Sequence, residues 1–281
     1  METLVPDRAA LDRVLEEYLT RARSSGWSPY DLVDKPELVA LARPDRISPE
    51  QLSAVRTVLY VEDHLPGYLS EHLRLFTDTS LPDERQFINR TILRFSFNWA
   101  AEEDRHSHVL EMYLVNTGLM SRERLDADLM RERNKAFRFP YSEPVDTFIY
   151  LALQEHATLL YYQALSSAVE DPVLRNILKK MASDEARHRT FFFELITRGC
   201  SSDLDLLAER VARAIDKFDM PIQRSLDNYR RQVVTLMRAA PRYRQADVFD
   251  QMNNLLNRAR RKHQESIAAL VVPSESPLVH L

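Results

Sequence analysis

The chain has 281 residues, a formal net charge of -4, one Cys and only four Gly. So few glycines, against a usual share of roughly 7%, leave little material for tight turns and hairpins and favour an all-helical chain, long enough to enclose a sizeable core. The lone Cys200 excludes an intramolecular disulfide, the acidic start lacks the apolar stretch of a secretory signal, and no apolar run approaches the roughly eighteen residues of a membrane span, so a soluble, cytoplasmic protein is expected.

Residues 8–24 carry Ala10, Leu11, Val14, Leu15 and Leu19 on one helical stripe and stop at Ser24-Ser25-Gly26. Pro29, Pro36 and Pro44 then argue against a long helix before Ser48. From Ser48, with Glu50 and Gln51 behind it as a cap, a second helix runs towards 76 through Val55, Val58, Leu59, Glu62 and Leu65. Pro66-Gly67 lies inside that span and predicts a kink or break near Glu62. A third helix over 82–117 ends at Gly118, and a charged peripheral helix covers 121–136. The spacing predicts further helices over 145–169, 172–198, 203–218, 221–239 and 244–271, the one at 172 capped by Asp171. No segment alternates as a strand does. Residues 1–272 read as one domain, and 273–281, with two Pro and two Ser, as a loosely held tail.

Two stretches stand out from this background. Glu102-Glu103-Asp104-Arg105-His106 and Asp184-Glu185-Ala186-Arg187-His188 both read acid-Glu-x-Arg-His. Of the eight histidines only His106 and His188 follow a Glu by three residues. At that spacing a carboxylate and an imidazole share a helix face and can hold one metal ion. Charged ligands in an otherwise apolar helix are costly unless they pair or coordinate, which weighs against the bland reading of two solvated charged faces. A carboxylate-bridged dinuclear site in a helix bundle takes one Glu from each of two helices and a Glu-x-x-His from each of two others. Glu62, Glu103 with His106, Glu155, and Glu185 with His188 occur in that order on four separate predicted helices. For the first helix Asp63 and Glu71 compete with Glu62, and an isolated Glu such as Glu62 or Glu155 is more often a snorkelling or paired side chain than a ligand. The expected fold is a ferritin-like four-helix bundle core with additional peripheral helices. The expected cofactor is a pair of irons, with manganese as a substitute.

The residues around these ligands resemble the soluble acyl-acyl carrier protein desaturases. Trp99-Ala100-Ala101-Glu102-Glu103-Asp104-Arg105-His106 is similar to the family's W-T-A-E-E-N-R-H, and Gln154-Glu155-His156-Ala157-Thr158 to Q-E-R-A-T. Asp184-Glu185-Ala186-Arg187-His188 resembles D-E-K-R-H, and Glu62-Asp63-His64-Leu65-Pro66-Gly67-Tyr68 resembles E-E-A-L-P-T-Y. The resemblance spans roughly residues 27 to 222. His64, Gly67 and His156 depart from it beside the candidate ligands, which bears on substrate and outcome.

The resemblance implies dioxygen-dependent insertion of a double bond into an acyl chain held on acyl carrier protein, with electrons from a ferredoxin-type donor, in a homodimer. It implies a hydrogen-bonded chain from Trp27 through Asp184 to His106 and a role beside the site for Thr158. A ligating His is oriented by a carboxylate on its other ring nitrogen, so Glu102 is expected to serve His188 as Asp184 serves His106. An apolar tunnel is expected to pass residues such as Phe97, Tyr113, Leu159 and Phe191. The net charge divides unevenly: residues 210–263 hold thirteen Lys and Arg against five Asp and Glu. Arg258, Arg260, Arg261 and Lys262 are therefore candidate contacts for an acidic carrier protein, against the plainer reading of a solvated basic face. With no nucleic-acid motif and a pI near 6.1, a nucleic-acid role is not expected. A hydroxylase or N-oxygenase acting on a carrier-tethered or free substrate is the alternative reading of the same site, and an iron store a more distant one.

Overall fold

The computed structural model describes residues 7–133, 137–141, 143–199, 203–218, 220 and 229–270. Cys200, the first part of the helix expected over 221–239, the side chain of Lys262 and the tail 273–281 lie outside the described residues. Among the described residues there are twelve α-helices and no strand. They are α1 (Arg8–Ser24), the one-turn α2 (Tyr30–Val33) and α3 (Pro36–Val39), α4 (Pro49–Glu62), α5 (Leu65–Phe76) and α6 (Asp83–Asn116). There follow α7 (Arg122–Arg133), α8 (Pro144–Ala168), α9 (Pro172–Glu194), α10 (Leu204–Asp216), α11 (Tyr229–Ala239) and α12 (Gln245–Leu270).

The ends of these helices follow from local chemistry. Ser48 and Gln51 close a reciprocal capping box at the start of α4. Asp171 caps α9 by accepting from Leu174 N at 2.6 Å and also accepts from the backbone of Arg43, which ties the irregular proline-rich stretch to the bundle. After α6 the chain turns at Gly118, whose φ of 73° a side chain would strain. The break anticipated near Glu62 falls at Asp63 and His64, where α4 stops and α5 begins with Leu65-Pro66. A proline has no N–H to give and is tolerated in the first turn, so the sequence restarts a helix there instead of bending one. Beyond Glu194 the last turn of α9 widens into a π turn, Leu195–Gly199.

Helices α4, α6, α8 and α9 surround the centre; α1, α5, α10, α11 and α12 pack around them. The apolar interior comes in two clusters. One includes Phe95 and Trp99 of α6, Leu153 and Ala157 of α8, and Phe191 and Phe192 of α9. The other includes Val109 and Tyr113 of α6, Leu159 and Leu165 of α8, and Ile177 and Met181 of α9. Along α6 and α9 the switch between clusters falls around Glu103 and Glu185, and along α8 between Ala157 and Leu159, within a turn of Glu155. The polar layer thus crosses the bundle at mid-height, sealed by apolar side chains above and below.

Candidate metal centre

The polar layer is built from six side chains that are almost out of reach of water. Glu62, Glu103, His106, Glu155, Glu185 and His188 are each no more than 7% exposed. They form two overlapping groups. Glu62, Glu103, His106 and Glu185 offer ligand atoms that all lie within 4.8 Å of one another, and so do Glu103, Glu155, Glu185 and His188. The two motif glutamates belong to both groups, so for a pair of ions Glu103 and Glu185 would be the shared carboxylates, with Glu62 and Glu155 each serving one ion. Asp63 and Glu71, the competitors for the first helix, are engaged elsewhere. Asp63 receives Arg133 in two bonds of 2.6 and 2.7 Å, and Glu71 receives Arg74, Arg138 and the Phe139 amide.

The donors fit a metal pair better than they fit one another. Glu103 Oε1, His106 Nδ1, Glu155 Oε1, Glu185 Oε1 and His188 Nδ1 are buried without a hydrogen-bond partner. Even the closest approach, 2.9 Å from His188 Nδ1 to Glu103 Oε1, lacks hydrogen-bond geometry. Orphaned buried donors and acceptors cost stability, and four carboxylates around one space repel one another. Without metal, protons answer that charge. Burial and the Glu103 charge push Glu62 up to about 7, and burial with the charges of Glu103 and Glu155 pushes Glu185 well up. For His106 burial works the other way, but the Glu103 charge and the bond to Asp184 outweigh it and hold the imidazole well above its usual value. His188 is held up in the same way through Glu102 and Glu103. Oxygen and imidazole donors in this number suit two iron or manganese ions.

Behind the ligands lies a second layer. Asp184 Oδ2 is 3.3 Å from His106 Nε2 and accepts from Trp27 Nε1 at 2.9 Å, while the Trp27 ring stacks on His106. Glu102 Oε2 is 2.7 Å from His188 Nε2. Each acid of one motif therefore meets the histidine of the other, as the sequence suggests. The arginine in each motif, to which the sequence assigns no role, ties the two acids together. Arg187 donates to Glu102 at 3.0 Å and to Asp184 at 2.5 Å, and Arg105 lies 3.5 and 3.4 Å from the same pair. Burial would raise both carboxyls, but the bond and charge of the opposite imidazole, with the Arg187 charge behind it, outweigh burial and hold them below their usual range.

Two tyrosines complete the layer without any sequence signal. Tyr18 on α1 donates to Glu102 Oε2 at 3.0 Å, and Tyr162 on α8 donates to Glu62. The motif spacing reports only contacts within a helix, so partners 84 and 100 residues away are invisible to it.

Tyr162 is also a wall of an apolar cavity of about 140 Å³ between α4, α8 and α11, with Val58, Val61, Thr158, Leu236 and Met237 among its lining. Thr158 faces this cavity while its hydroxyl bonds back to Gln154 O at 3.1 Å. The residues expected to wall a tunnel are placed otherwise. Phe97 is 50% exposed on the outer face of α6, Phe191 stacks on Phe95 at 3.7 Å, and Tyr113 and Leu159 belong to the closed core. Periodicity marks them as apolar or aromatic, but the rotation of each helix decides which of them meets a cavity. Of the expected basic contacts, Arg260 pairs with Asp205, whereas Arg258 and Arg261 line a surface cleft with Arg189.

Residues 10–270 match the fatty acid desaturase family. The chain belongs to that family. Within it, the chain is 27% identical to DesA2 of Mycobacterium tuberculosis over 216 residues, covering 73% of this chain and 76% of DesA2, which is assigned by name to the acyl-ACP desaturases. It is also 27% identical to the chloroplastic acyl-ACP desaturase 7 of rice, covering 69% of this chain and 51% of the rice protein. The X-ray structure of DesA2 superposes with a TM-score of 0.64 at 19% identity over 94% of this chain and 99% of that one. An R2-like ligand-binding oxidase with a reconstituted Mn/Fe cofactor superposes with a TM-score of 0.54 at 14% identity, over 88% of this chain and 92% of that one. This desaturase-family chain therefore has the ferritin-like fold: a four-helix core carrying the polar layer, with peripheral helices around it.

Proposed function

We propose that this chain is a dioxygen-dependent di-iron desaturase that introduces a double bond into an acyl chain carried on acyl carrier protein. The observation that carries the reading is the placement of the apolar cavity against the polar layer. Tyr162 lines the one and hydrogen-bonds Glu62 of the other, so a substrate methylene in the cavity would lie about one side chain from the candidate ligands. A largely apolar lining disfavours water beside the reacting carbon, which matters for chemistry on an unactivated bond.

In this reading Glu62, His106 and the shared Glu103 and Glu185 hold one iron, and Glu155, His188 and the same two bridges hold the other. When bound, the iron pair supplies the activation of dioxygen and the removal of hydrogen from a methylene. Asp184 and Glu102 fix the tautomer and tilt of the two imidazoles. Trp27, stacked on His106 and bonded to Asp184 near the surface, is the proposed entry for electrons from a ferredoxin-type donor. Thr158 contributes a small polar group to a largely apolar wall beside Glu155. The carrier protein, being acidic, is the proposed partner of the basic region that includes Arg258, Arg260, Arg261 and Lys262, in the cytoplasm and in a homodimer built from single-domain subunits.

The test is anaerobic iron loading followed by dioxygen, reductase, ferredoxin and a panel of acyl carrier protein thioesters, with product mass recorded. Loss of two hydrogens supports desaturation; gain of one oxygen atom replaces it with hydroxylation or N-oxygenation at the same centre. Glu103→Ala is expected to bind fewer metal ions than the parent, and equal loading would sink the ligand assignment.

A further inference from the structure

A partly buried guanidinium with no counter-charge is expensive to keep, and Arg189 is one. It follows the candidate ligand His188 on α9 and is largely withdrawn from solvent. Its Nε is fully buried with no hydrogen-bond partner, and among the described residues its side-chain bond runs from Nη2 to Thr190 Oγ1 at 3.3 Å. No carboxylate lies within ion-pair distance of it among the described residues. The titratable side chain packed near it is His156, 1% exposed and next to Glu155, with neither ring nitrogen in a hydrogen bond of good geometry.

Arg189 opens onto a cleft whose far wall is one face of α12, where Gln251, Asn254, Arg258 and Arg261 recur at intervals of three and four. Arg258 and Arg261 also have no acidic partner among the described residues, whereas Arg260, on the adjoining face, is neutralised by Asp205. Among the described residues, three guanidiniums and two amides therefore line one concavity without a carboxylate. Side chains of this kind are chosen for planar, multidentate recognition of oxyanions.

We propose that the cleft formed by Arg189, Arg258 and Arg261 binds a phosphate group. A carboxylate offers one charge and two oxygens, which leaves most of this site unanswered. A phosphate monoester offers nearly two charges and three strong acceptor oxygens, enough for each guanidinium to find one. The phosphate has two sources: a free phosphorylated small molecule, which is such a monoester and answers all three guanidiniums, or the prosthetic arm of a carrier protein, whose phosphodiester keeps one charge and two free oxygens and would engage the site in part. The second source rests on the reading under Proposed function; the site itself does not.

Calorimetric titration of the metal-free full chain with inorganic phosphate and with pantetheine 4′-phosphate tests the site. Saturable binding that falls steeply with salt is expected, weakened about tenfold in Arg258→Gln and further in Arg258→Gln/Arg261→Gln. Arg122→Gln, which removes a cation already paired with Glu111, should leave it unchanged. Arg189→Gln should abolish binding; if that variant unfolds, the two exposed α12 positions still decide the matter. Absence of saturation up to roughly 10 mM phosphate, or equal affinity in the double variant, overturns the proposal. Carrier protein with and without its prosthetic arm separates the sources. A preference for the armed form that the double variant loses identifies the arm. Phosphate binding that persists while neither carrier form binds keeps the site, points to a small phosphorylated ligand and removes the carrier reading.

Discussion

Replacing Glu102 by Gln removes a charge that three groups use at once while keeping the size of the side chain. Its carboxylate accepts from His188 Nε2 at 2.7 Å, from Tyr18 at 3.0 Å and from Arg187 at 3.0 Å. Gln offers one acceptor oxygen and an NH2 that must point at another donor, so at least one of the three loses its bond. The loss of a charge-assisted bond to Arg187, whose side chain is 8% exposed, costs about 2 kcal/mol. In a chain of this size that lowers the melting temperature by roughly 5 °C. The metal effect is separate: His188 loses the carboxylate that orients it, and loss of such a partner weakens metal affinity about 10–100-fold. Anaerobic ferrous titration followed by calorimetry should show the weakening for one of two ions, because His106 keeps Asp184. A Gln variant that binds both ions with the parent affinity would refute the argument that the motif acids orient the opposite histidines.

Trp27→Phe is expected to retain metal loading, since Trp27 offers no ligand atom and touches the cluster only by its bond to Asp184 and its ring on His106, but to slow turnover supported by an external electron donor. Equal donor-supported and parent rates would remove Trp27 from the electron path. Tyr162→Phe leaves one Glu62 oxygen without its donor and removes one hydroxyl from the cavity wall; metal affinity should fall by about tenfold or less, with substrate binding little changed. Direct titration of both ligands checks it. Acid should destabilise the chain partly through His72, which is fully buried, stacked on Trp99 and held at about 4 by burial against an ordinary 6.5. On lowering the pH the unfolded chain takes up this proton first. The contribution is therefore intact above about 6.5 and is lost as pH falls towards 4, by up to about 3 kcal/mol. Urea melts across that window should show a shallower loss in His72→Leu than in the parent.

The sequence by itself determined most of the helices and the two Glu-x-x-His pairs of the polar layer, and it offered Glu155 and one of Glu62, Asp63 and Glu71 as the remaining carboxylates. Caps such as Ser48 with Gln51 and Asp171 act within one turn, and a Glu-x-x-His places both donors on one face of whichever helix carries it. Such information is local, and so it can be read locally. The tertiary structure alone decided that Glu103 and Glu185 are shared between the two groups, and that Asp63 and Glu71 are spent on arginines outside the layer. It decided too that Phe97 faces outward while Tyr162 joins the cavity to Glu62. The roles of Arg105, Arg187, Tyr18 and Arg189 belong to the same class. Each depends on the angle and height at which separate helices pack, and no residue spacing along one chain segment encodes the rotation of a neighbour.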